Sequence, residues 1–187
     1  MIICCDCDNV ICNLQEAIVN LFNQRHKTNY TLNDFHDYNI ENDLPIKEAT
    51  MMKKMYRENA IYNHVIPIAG AQDGLQKLIN AGHQVYIVSD AIPKTYAEKH
   101  DWIRHFFPFI DDAHIISMTH KHLFRADIMI EDNMQNLLAS PYYHRICLDY
   151  PWNRAVHDYV YDIYRCENWN QIVDVINKIN EKESDVN

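Results

Sequence analysis

The sequence lacks the features of membrane-spanning, secreted and nucleic-acid-binding proteins. No run of about 18 apolar residues occurs, so no segment is expected to cross a membrane. The N-terminus carries neither a basic start nor a cleavage site, which argues against a signal peptide and predicts a cytoplasmic protein. The 17 Lys and Arg residues are outnumbered by 26 Asp and Glu residues. A net charge of -9 disfavours binding to DNA or RNA polymers.

A structural zinc site is not indicated either. Cys4 and Cys7 have the C-x-x-C spacing, but no second cysteine pair or histidine pair follows at zinc-finger distance. In a strand, these two side chains point to opposite faces. The six cysteines are therefore expected to be reduced core residues.

Short apolar segments alternate with segments of helical periodicity. The candidate strands are residues 1–5, 85–88, 114–117, 126–132 and 145–149. The candidate helices begin at Leu14 after an Asn13 cap, run from Pro45 to about Asn59, and cover residues 71–81, 93–107 and 172–180. This alternation predicts an α/β fold, with a parallel sheet covered by helices on both faces.

One region departs from the strand and helix alternation. Residues 14–66, between the first two strands, are too many for a plain crossover and are rich in Met and Tyr. They are expected to form a small helical cap. The α/β core would then comprise residues 1–13 and 67–180, followed by a charged, frayed tail at 181–187.

Polar side chains follow or end three of the predicted strands. They are Asp6 and Asp8 after the first strand, Ser89 and Asp90 after the second, and Glu131 and Asp132 at the end of the fourth. In such sheets, ligands bind beyond the carboxyl ends of the strands. One strand that ends in acids can be an ordinary turn, because Asp and Asn favour turns. The convergence of three such ends indicates a site.

The spacing of the first acidic pair points to specific chemistry. Asp6 and Asp8 are two residues apart, so in an extended backbone they face the same way. Two close carboxylates stay ionised together when a hard cation such as Mg²⁺ lies beside them. Alternatively, one is a protonated acid while the other remains a nucleophile or a ligand.

The order of these groups resembles the haloacid dehalogenase-like phosphohydrolase superfamily. The matching parts are Asp6-Cys7-Asp8, Ser89, Lys121 and Glu131-Asp132. The spacing is similar to that of the 5′(3′)-deoxyribonucleotidases, in which a Lys precedes an acid by six residues, as Lys121 precedes Asp127. Residues 98–103 and 151–154 resemble two further stretches of these nucleotidases.

Two positions depart from the family pattern. Asn9 stands where glycine is common, and Glu131 stands where the family commonly has Asp. Asn tolerates a left-handed backbone better than most residues, so the loop conformation is expected to persist.

The resemblance implies a Mg²⁺-dependent 5′-nucleotidase that hydrolyses (deoxy)ribonucleoside monophosphates through an aspartyl-phosphate. In that mechanism Asp6 is the nucleophile and Asp8 the general acid and base. Mg²⁺ would be held by Asp6, Asp132 and the backbone carbonyl of Asp8. Phosphate would bind to Ser89 and Lys121. Further candidates near the metal or the substrate are Glu131, Asp90 and Arg154.

Several alternatives stay open from the sequence. A phosphatase for a sugar phosphate is one, because residues 28–44 hold several Asn and Asp side chains. A phosphoacceptor or binding module on a similar fold is another, although receiver domains have no long insert after the first strand. The cap residues Phe35, Tyr38, Met51, Met52, Met55 and Tyr62 either line a base pocket or pack in the cap itself. A homodimer also stays open.

Overall fold

Six strands form one parallel sheet in the computed structural model, which describes residues 1–58, 60–139 and 144–184. The strands are β1 (Ile2–Cys5), β2 (Gln84–Ser89), β3 (Ile115–Ser117), β4 (Ile128–Glu131), β5 (His144–Leu148) and β6 (Ile163–Cys166). Their order across the sheet is β3-β2-β1-β4-β5-β6, and each neighbouring pair is parallel. The predicted α/β fold is confirmed.

The central strands are apolar because both faces of the sheet are covered. In β1, Ile3 is fully buried and lies opposite Val85 of β2 and Ile128 of β4. The strand β6 was not predicted from the sequence. Its half-buried middle residues, Tyr164 and Arg165, interrupt the apolar run that identifies a central strand.

Seven helices flank the sheet in the described part of the chain. They are α1 (Leu14–His26), α2 (Ile46–Met55), α3 (Ala71–Asn80), α4 (Tyr96–Phe106), α5 (Met134–Ala139), α6 (Asp158–Tyr161) and α7 (Trp169–Ser184). None of the described helices combines the length and the apolar character that crossing a bilayer requires.

Several predicted helix boundaries differ from the structure. The helix α2 ends at Met55, and Asn59 lies outside the described residues. The helix α4 begins at Tyr96, because a turn occupies the residues directly after Pro93. Residues 181–184 of the predicted tail continue α7 to Ser184, whereas residues 185–187 lie outside the described residues.

The first turn of α1 is held by Asn9 and not by the predicted cap, Asn13. The backbone N–H of Gln15 donates to Asn9 Oδ1 at 2.9 Å. The Asn13 side chain instead donates to Glu16 Oε2 at 3.0 Å and accepts from the Ile66 N–H at 2.8 Å. Asn9 can serve as the cap because its φ of 58° turns the chain back toward the helix.

Residues 14–66 share one hydrophobic core with the sheet. Besides α1 and α2, their described part contains three short 3₁₀ helices, Leu32–Asp34, Ile40–Asn42 and Ile61–His64. Phe35, Met52 and Met55 are buried in the same cluster as Ile3 and Ile87 of the sheet. These apolar side chains therefore pack in the core, as expected for the methionines, and fix this region to the strand ends.

A close helix contact supports the loop after β1. Trp169 of α7 is buried, and its Nε1 donates to the Val10 carbonyl at 2.8 Å. Opposite it, a Cβ atom built at Gly74 of α3 would lie 2.5 Å from Trp169 Cε3. Glycine is therefore required at position 74 for the indole to reach the loop.

We expect Gly74→Ala to lower the free energy of unfolding by about 1–3 kcal/mol, because the added methyl group overlaps the indole ring. The higher helix propensity of alanine acts in the opposite direction, by at most about 1 kcal/mol. Urea denaturation measures the difference. In a Trp169→Leu background the same substitution should cost less, because the smaller side chain leaves room. An equal cost in both backgrounds would contradict the steric explanation.

Candidate active site

The carboxyl ends of β1, β2 and β4 meet at one edge of the sheet. The strand β1 lies between β2 and β4. The strands β2 and β3 lie on one side of it and β4, β5 and β6 on the other, so the strand order reverses at β1. Such a switch point is where α/β sheets bind ligands. Asp6 directly follows β1, Ser89 ends β2 and Glu131 ends β4. The structure thus brings together the predicted strand-end groups.

Three carboxylates and one ammonium form a buried cluster at this edge. Ligand oxygens of Asp6, Glu131 and Asp132 all lie within 4.8 Å of one another. Lys121 Nζ lies 2.7 Å from Asp6 Oδ1 and 2.7 Å from Glu131 Oε1. All four side chains are buried. The cluster, which we call the Lys121 cluster, therefore holds more negative than positive charge.

Burial and charge act in opposite directions on the acids of the Lys121 cluster. Burial, and then the charge of Asp6, raises the pKa of Glu131 to about 7. Burial and Glu131 also raise the pKa of Asp132 well above its usual value. Burial, the largest single cause, would raise the pKa of Asp6, but Lys121, a hydrogen bond with Glu131 and the charge of Lys99 together hold that pKa below its usual range. Asp6 is therefore the most readily ionised of the three.

The donor set of the Lys121 cluster fits a hard divalent cation. Carboxylate oxygens are the ligands that Mg²⁺ prefers, and a cation would offset the charge that Lys121 leaves uncompensated. Both carboxylate oxygens of Glu131 already have protein partners. Its Oε1 contacts Lys121, and its Oε2 accepts a hydrogen bond from the backbone N–H of Asp132 at 2.9 Å. It is thus placed to hold Lys121.

Within residues 151–154, two side chains contact Asp132 and one lies on the outer surface. Trp152 Nε1 donates to Asp132 Oδ2 at 3.1 Å, and Asn153 Nδ2 donates to the Asp132 carbonyl at 3.0 Å. Arg154, a predicted substrate contact, instead pairs with Asp149 at 2.8 Å, and 57% of its side chain is exposed. The structure therefore places Trp152 and Asn153 at the site and directs Arg154 away from the acids.

Asp8 belongs to a second set of polar groups. Lys99 Nζ lies 2.7 Å from Asp8 Oδ2 and donates to Ser89 Oγ at 2.9 Å and to the Asp90 carbonyl at 2.5 Å. The Tyr62 hydroxyl donates to Asp8 Oδ1 at 3.0 Å. Asp6 and Asp8 are thus paired with different lysines although they are two residues apart.

Sequence reasoning missed Lys99 as a site residue. Lys99 is only 5% exposed, and it shares the inward face of α4 with Trp102 and Ile103. A lysine at helical spacing with buried apolar residues is unusual, because lysine is rarely buried without a partner. That pattern was the available signal. Tyr62 had been considered only as a base-stacking or packing residue.

A cavity of about 600 Å³ opens beside Asp8. Asp8, Asp90, Lys99 and Trp152 line it. Residues 14–66 supply further lining side chains, including Leu14, Gln15, Tyr38, Tyr56, Ile61 and Tyr62. Three exposed cationic residues, Lys53, Lys54 and Arg57, also line it. The cavity therefore combines acidic groups, aromatic and apolar side chains, and three cationic residues from α2 and the turn after it.

We expect Lys121→Met to lower the free energy of unfolding by about 3–5 kcal/mol at neutral pH, because buried carboxylates lose the ammonium in contact with them. Urea denaturation measures the loss. Adding Glu131→Gln should recover part of it by removing one of the buried charges. The exposed Lys77→Met serves as the control and should change stability by about 0.5 kcal/mol or less. Equal effects of the two lysine substitutions would refute a stabilising role for the buried pair.

Known proteins resemble this chain in both sequence and fold. A 5′(3′)-deoxyribonucleotidase from Bacillus subtilis strain 168 is 30% identical over 114 residues, which is 60% of this chain and 63% of that protein. A protein of the same name from Bacillus phage SPbeta gives the same values. A haloacid dehalogenase-like hydrolase from Streptococcus pneumoniae has a similar fold, with a TM-score of 0.63 and 14% identity over 94% of this chain and 97% of that chain.

A family model provides the broadest match. The model describes the deoxy (pyrimidine), cytosolic type C 5′-nucleotidases and matches residues 1–183. The matched span includes each strand-end group of the site as well as both buried lysines. The chain therefore belongs to this nucleotidase family, and its fold is similar to that of a haloacid dehalogenase-like hydrolase.

Proposed function

We propose that this protein is a Mg²⁺-dependent 5′-nucleotidase that hydrolyses (deoxy)ribonucleoside monophosphates through an aspartyl-phosphate. The observation that carries the proposal is the pairing of Asp6 with Lys121 and of Asp8 with Lys99, beside a cavity of about 600 Å³. A nucleophile and an acid–base group need different environments, and this pairing supplies them. Membership of the nucleotidase family supports the same reaction.

Asp6, Asp132 and the backbone carbonyl of Asp8 would hold the metal. When bound, Mg²⁺ would supply positive charge that screens the substrate phosphate from the surrounding carboxylates. Trp152 and Asn9 each donate to Asp132 Oδ2, at 3.1 and 3.2 Å, and so would orient this carboxylate.

Asp6 would act as the nucleophile. Its contact with Lys121 keeps the carboxylate ionised, and an oxygen of Asp6 would bond to phosphorus as the ester oxygen leaves. A water molecule would then attack the aspartyl-phosphate, releasing inorganic phosphate and restoring Asp6. Lys121 would balance the charge that develops on the transferring group.

Asp8 would handle the protons of both half-reactions. It would donate a proton to the leaving ester oxygen and later accept one from the attacking water. Tyr62 and Lys99 hold the two oxygens of this carboxylate, and Lys99 also contacts Ser89 Oγ. Ser89 and Lys99 are therefore placed to receive phosphate oxygens next to the acid–base group.

The region 14–66 would act as a cap that selects small substrates. Its Tyr38 and Tyr62, with Trp152 opposite, offer aromatic surface that suits a flat base. The cations at Lys53, Lys54 and Arg57 would attract an anion to a protein whose net charge is -9. No nucleic-acid polymer is expected as a partner. Cytoplasmic location and a homodimer stay predictions.

A sugar phosphate is the second candidate substrate. Asp37 and Asn39 line the cavity, and such side chains bind hydroxyl groups. A phosphoacceptor module is less favoured, because receiver domains have no long insert after the first strand, whereas residues from 14–66 line the cavity here.

We expect kcat/KM to be highest for a nucleoside monophosphate when dUMP, dTMP, UMP, AMP and a set of sugar phosphates are assayed with Mg²⁺. An excess of chelator should stop turnover, because the crowded carboxylates then repel the phosphate. A sugar phosphate that exceeds every nucleotide by about tenfold, roughly 1.4 kcal/mol of transition-state discrimination, would remove the nucleotidase assignment and leave the phosphatase. Full turnover in chelator would refute the metal requirement.

We expect Asp6→Asn to lower kcat by about 1000-fold or more, because an amide oxygen is a poor nucleophile. Thermal unfolding should stay cooperative, which separates lost chemistry from lost structure. The control is Asp101→Asn, an exposed position on α4, which should keep wild-type kcat. Near wild-type kcat in Asp6→Asn would show that another group attacks phosphorus.

A further inference from the structure

Arg165, on the edge strand β6, directs its whole guanidinium at protein groups. Its Nε and Nη2 donate to the Asp158 carboxylate at 2.9 and 2.7 Å. Its Nη1 donates to Asp149 Oδ1 at 3.1 Å and to Asn153 Oδ1, and its Nη2 also donates to the Asn153 carbonyl at 3.1 Å. These contacts occupy all five N–H donors of the guanidinium. The role of Arg165 therefore lies in what it holds.

The guanidinium does more than neutralise two acids. A lysine ammonium could lie between Asp149 and Asp158 and balance their charge. The planar fork of an arginine also reaches the side-chain oxygen and the backbone carbonyl of Asn153 at the same time. The contact with Asn153 is therefore the part of this arrangement that requires arginine.

Arg165 helps to fix the orientation of the buried Asn153 amide. Asn153 is only 1% exposed, and its Oδ1 also accepts a hydrogen bond from the backbone N–H of Tyr150 at 3.1 Å. A guanidinium and a backbone N–H can only donate, so the amide oxygen has to face them. The amide nitrogen consequently points the opposite way, into the protein.

The other end of this amide reaches Asp132. Asn153 Nδ2 donates to the carbonyl oxygens of Asp132 and Leu148, at 3.0 and 2.8 Å. Trp152, from the same 3₁₀ helix (Pro151–Asn153), donates to Asp132 Oδ2 at 3.1 Å. The short helix that Arg165 holds thus contacts both the backbone and the carboxylate of Asp132.

We propose that Arg165 is a positioning residue for the divalent metal, and that it acts on Asp132 through Asn153 and Trp152. This inference rests on the proposed function, in which Asp132 holds Mg²⁺. Groups that orient a metal ligand without touching the metal change the metal affinity by about 10- to 100-fold when they are lost. The residues that set the metal affinity would then extend to β6, two strands away from β4.

The test measures the binding of Mn²⁺ to the metal-free protein from the electron paramagnetic resonance signal of the unbound ion. Mn²⁺ suits the same carboxylate ligands as Mg²⁺. Arg165→Met should raise the Kd by about tenfold, while kcat at saturating Mg²⁺ stays within about threefold of the wild type. Arg165→Lys keeps the charge but lacks the fork, and should raise the Kd by about threefold or more.

A double substitution tests the route through Asn153. Asn153→Ala alone should raise the Kd by about tenfold. Adding Arg165→Met to it should raise the Kd little further, because both residues act on Asp132 through the same contacts. A further tenfold rise in the double variant would show that Arg165 acts by another route and would overturn the proposal.

The control is Arg154→Met, which removes an exposed arginine that pairs with the same Asp149 and should leave the Kd unchanged. A wild-type Kd in folded Arg165→Met would overturn the role of Arg165 and leave the nucleotidase function intact. Turnover of sugar phosphates alone would overturn the nucleotidase function and leave the role of Arg165 intact. A wild-type protein that binds no Mn²⁺ would overturn the metal site and this inference with it. If Arg165→Met fails to fold, as judged by thermal unfolding, Arg165→Lys decides, and a wild-type Kd there would overturn the proposal.

Discussion

The Lys121 ammonium is the interaction on which the arrangement of the site depends. Its Nζ lies 2.7 Å from Asp6 Oδ1 and 2.7 Å from Glu131 Oε1. Asp6 follows β1, and Glu131 ends the neighbouring strand β4. A parallel sheet brings strand ends together by geometry alone, and acids placed there would repel one another without a cation. Lys121 lowers the pKa of Asp6 but leaves that of Glu131 raised to about 7. The pairing is therefore incomplete, and this shortage of positive charge is what favours a bound metal.

Asn9 connects this charged edge to the cavity wall. Its side chain donates to Asp132 Oδ2 at 3.2 Å and accepts from the Gln15 N–H at 2.9 Å. One side chain thus joins the end of β4 to the start of α1. Glycine, which the family commonly has at this position, would supply the left-handed turn but neither hydrogen bond. The departure seen in the sequence is therefore a structural connection in this chain.

The extent to which the site could be predicted follows from where its residues lie along the chain. The sequence indicates Asp6, Asp8 and Glu131 because each follows or ends an apolar strand, which is a local pattern. Their proximity could also be predicted, since the strand ends of a parallel sheet converge. Lys99 and Tyr62 reach Asp8 from positions 91 and 54 residues away in sequence, so their role depends on helix packing that no local pattern encodes. The strand β6 was missed for a related reason, since an edge strand needs no continuous apolar run.

The use of two lysines would allow residues separated by one position to take the different roles proposed for Asp6 and Asp8. Asp6 is held by Lys121 in a buried cluster, whereas 26% of the Asp8 side chain is exposed, beside the cavity and Lys99. Both carboxylates contact an ammonium, but that of Asp6 is also buried, where the contact would keep it ionised as its proposed role as nucleophile requires. A carboxylate at the cavity can exchange protons with a leaving group and with water. Cys7 between them is fully buried, so the backbone at this point is fixed by the core. The proposed separation of roles would thus arise from the surroundings that the sheet edge and α4 provide, since the two side chains are chemically identical.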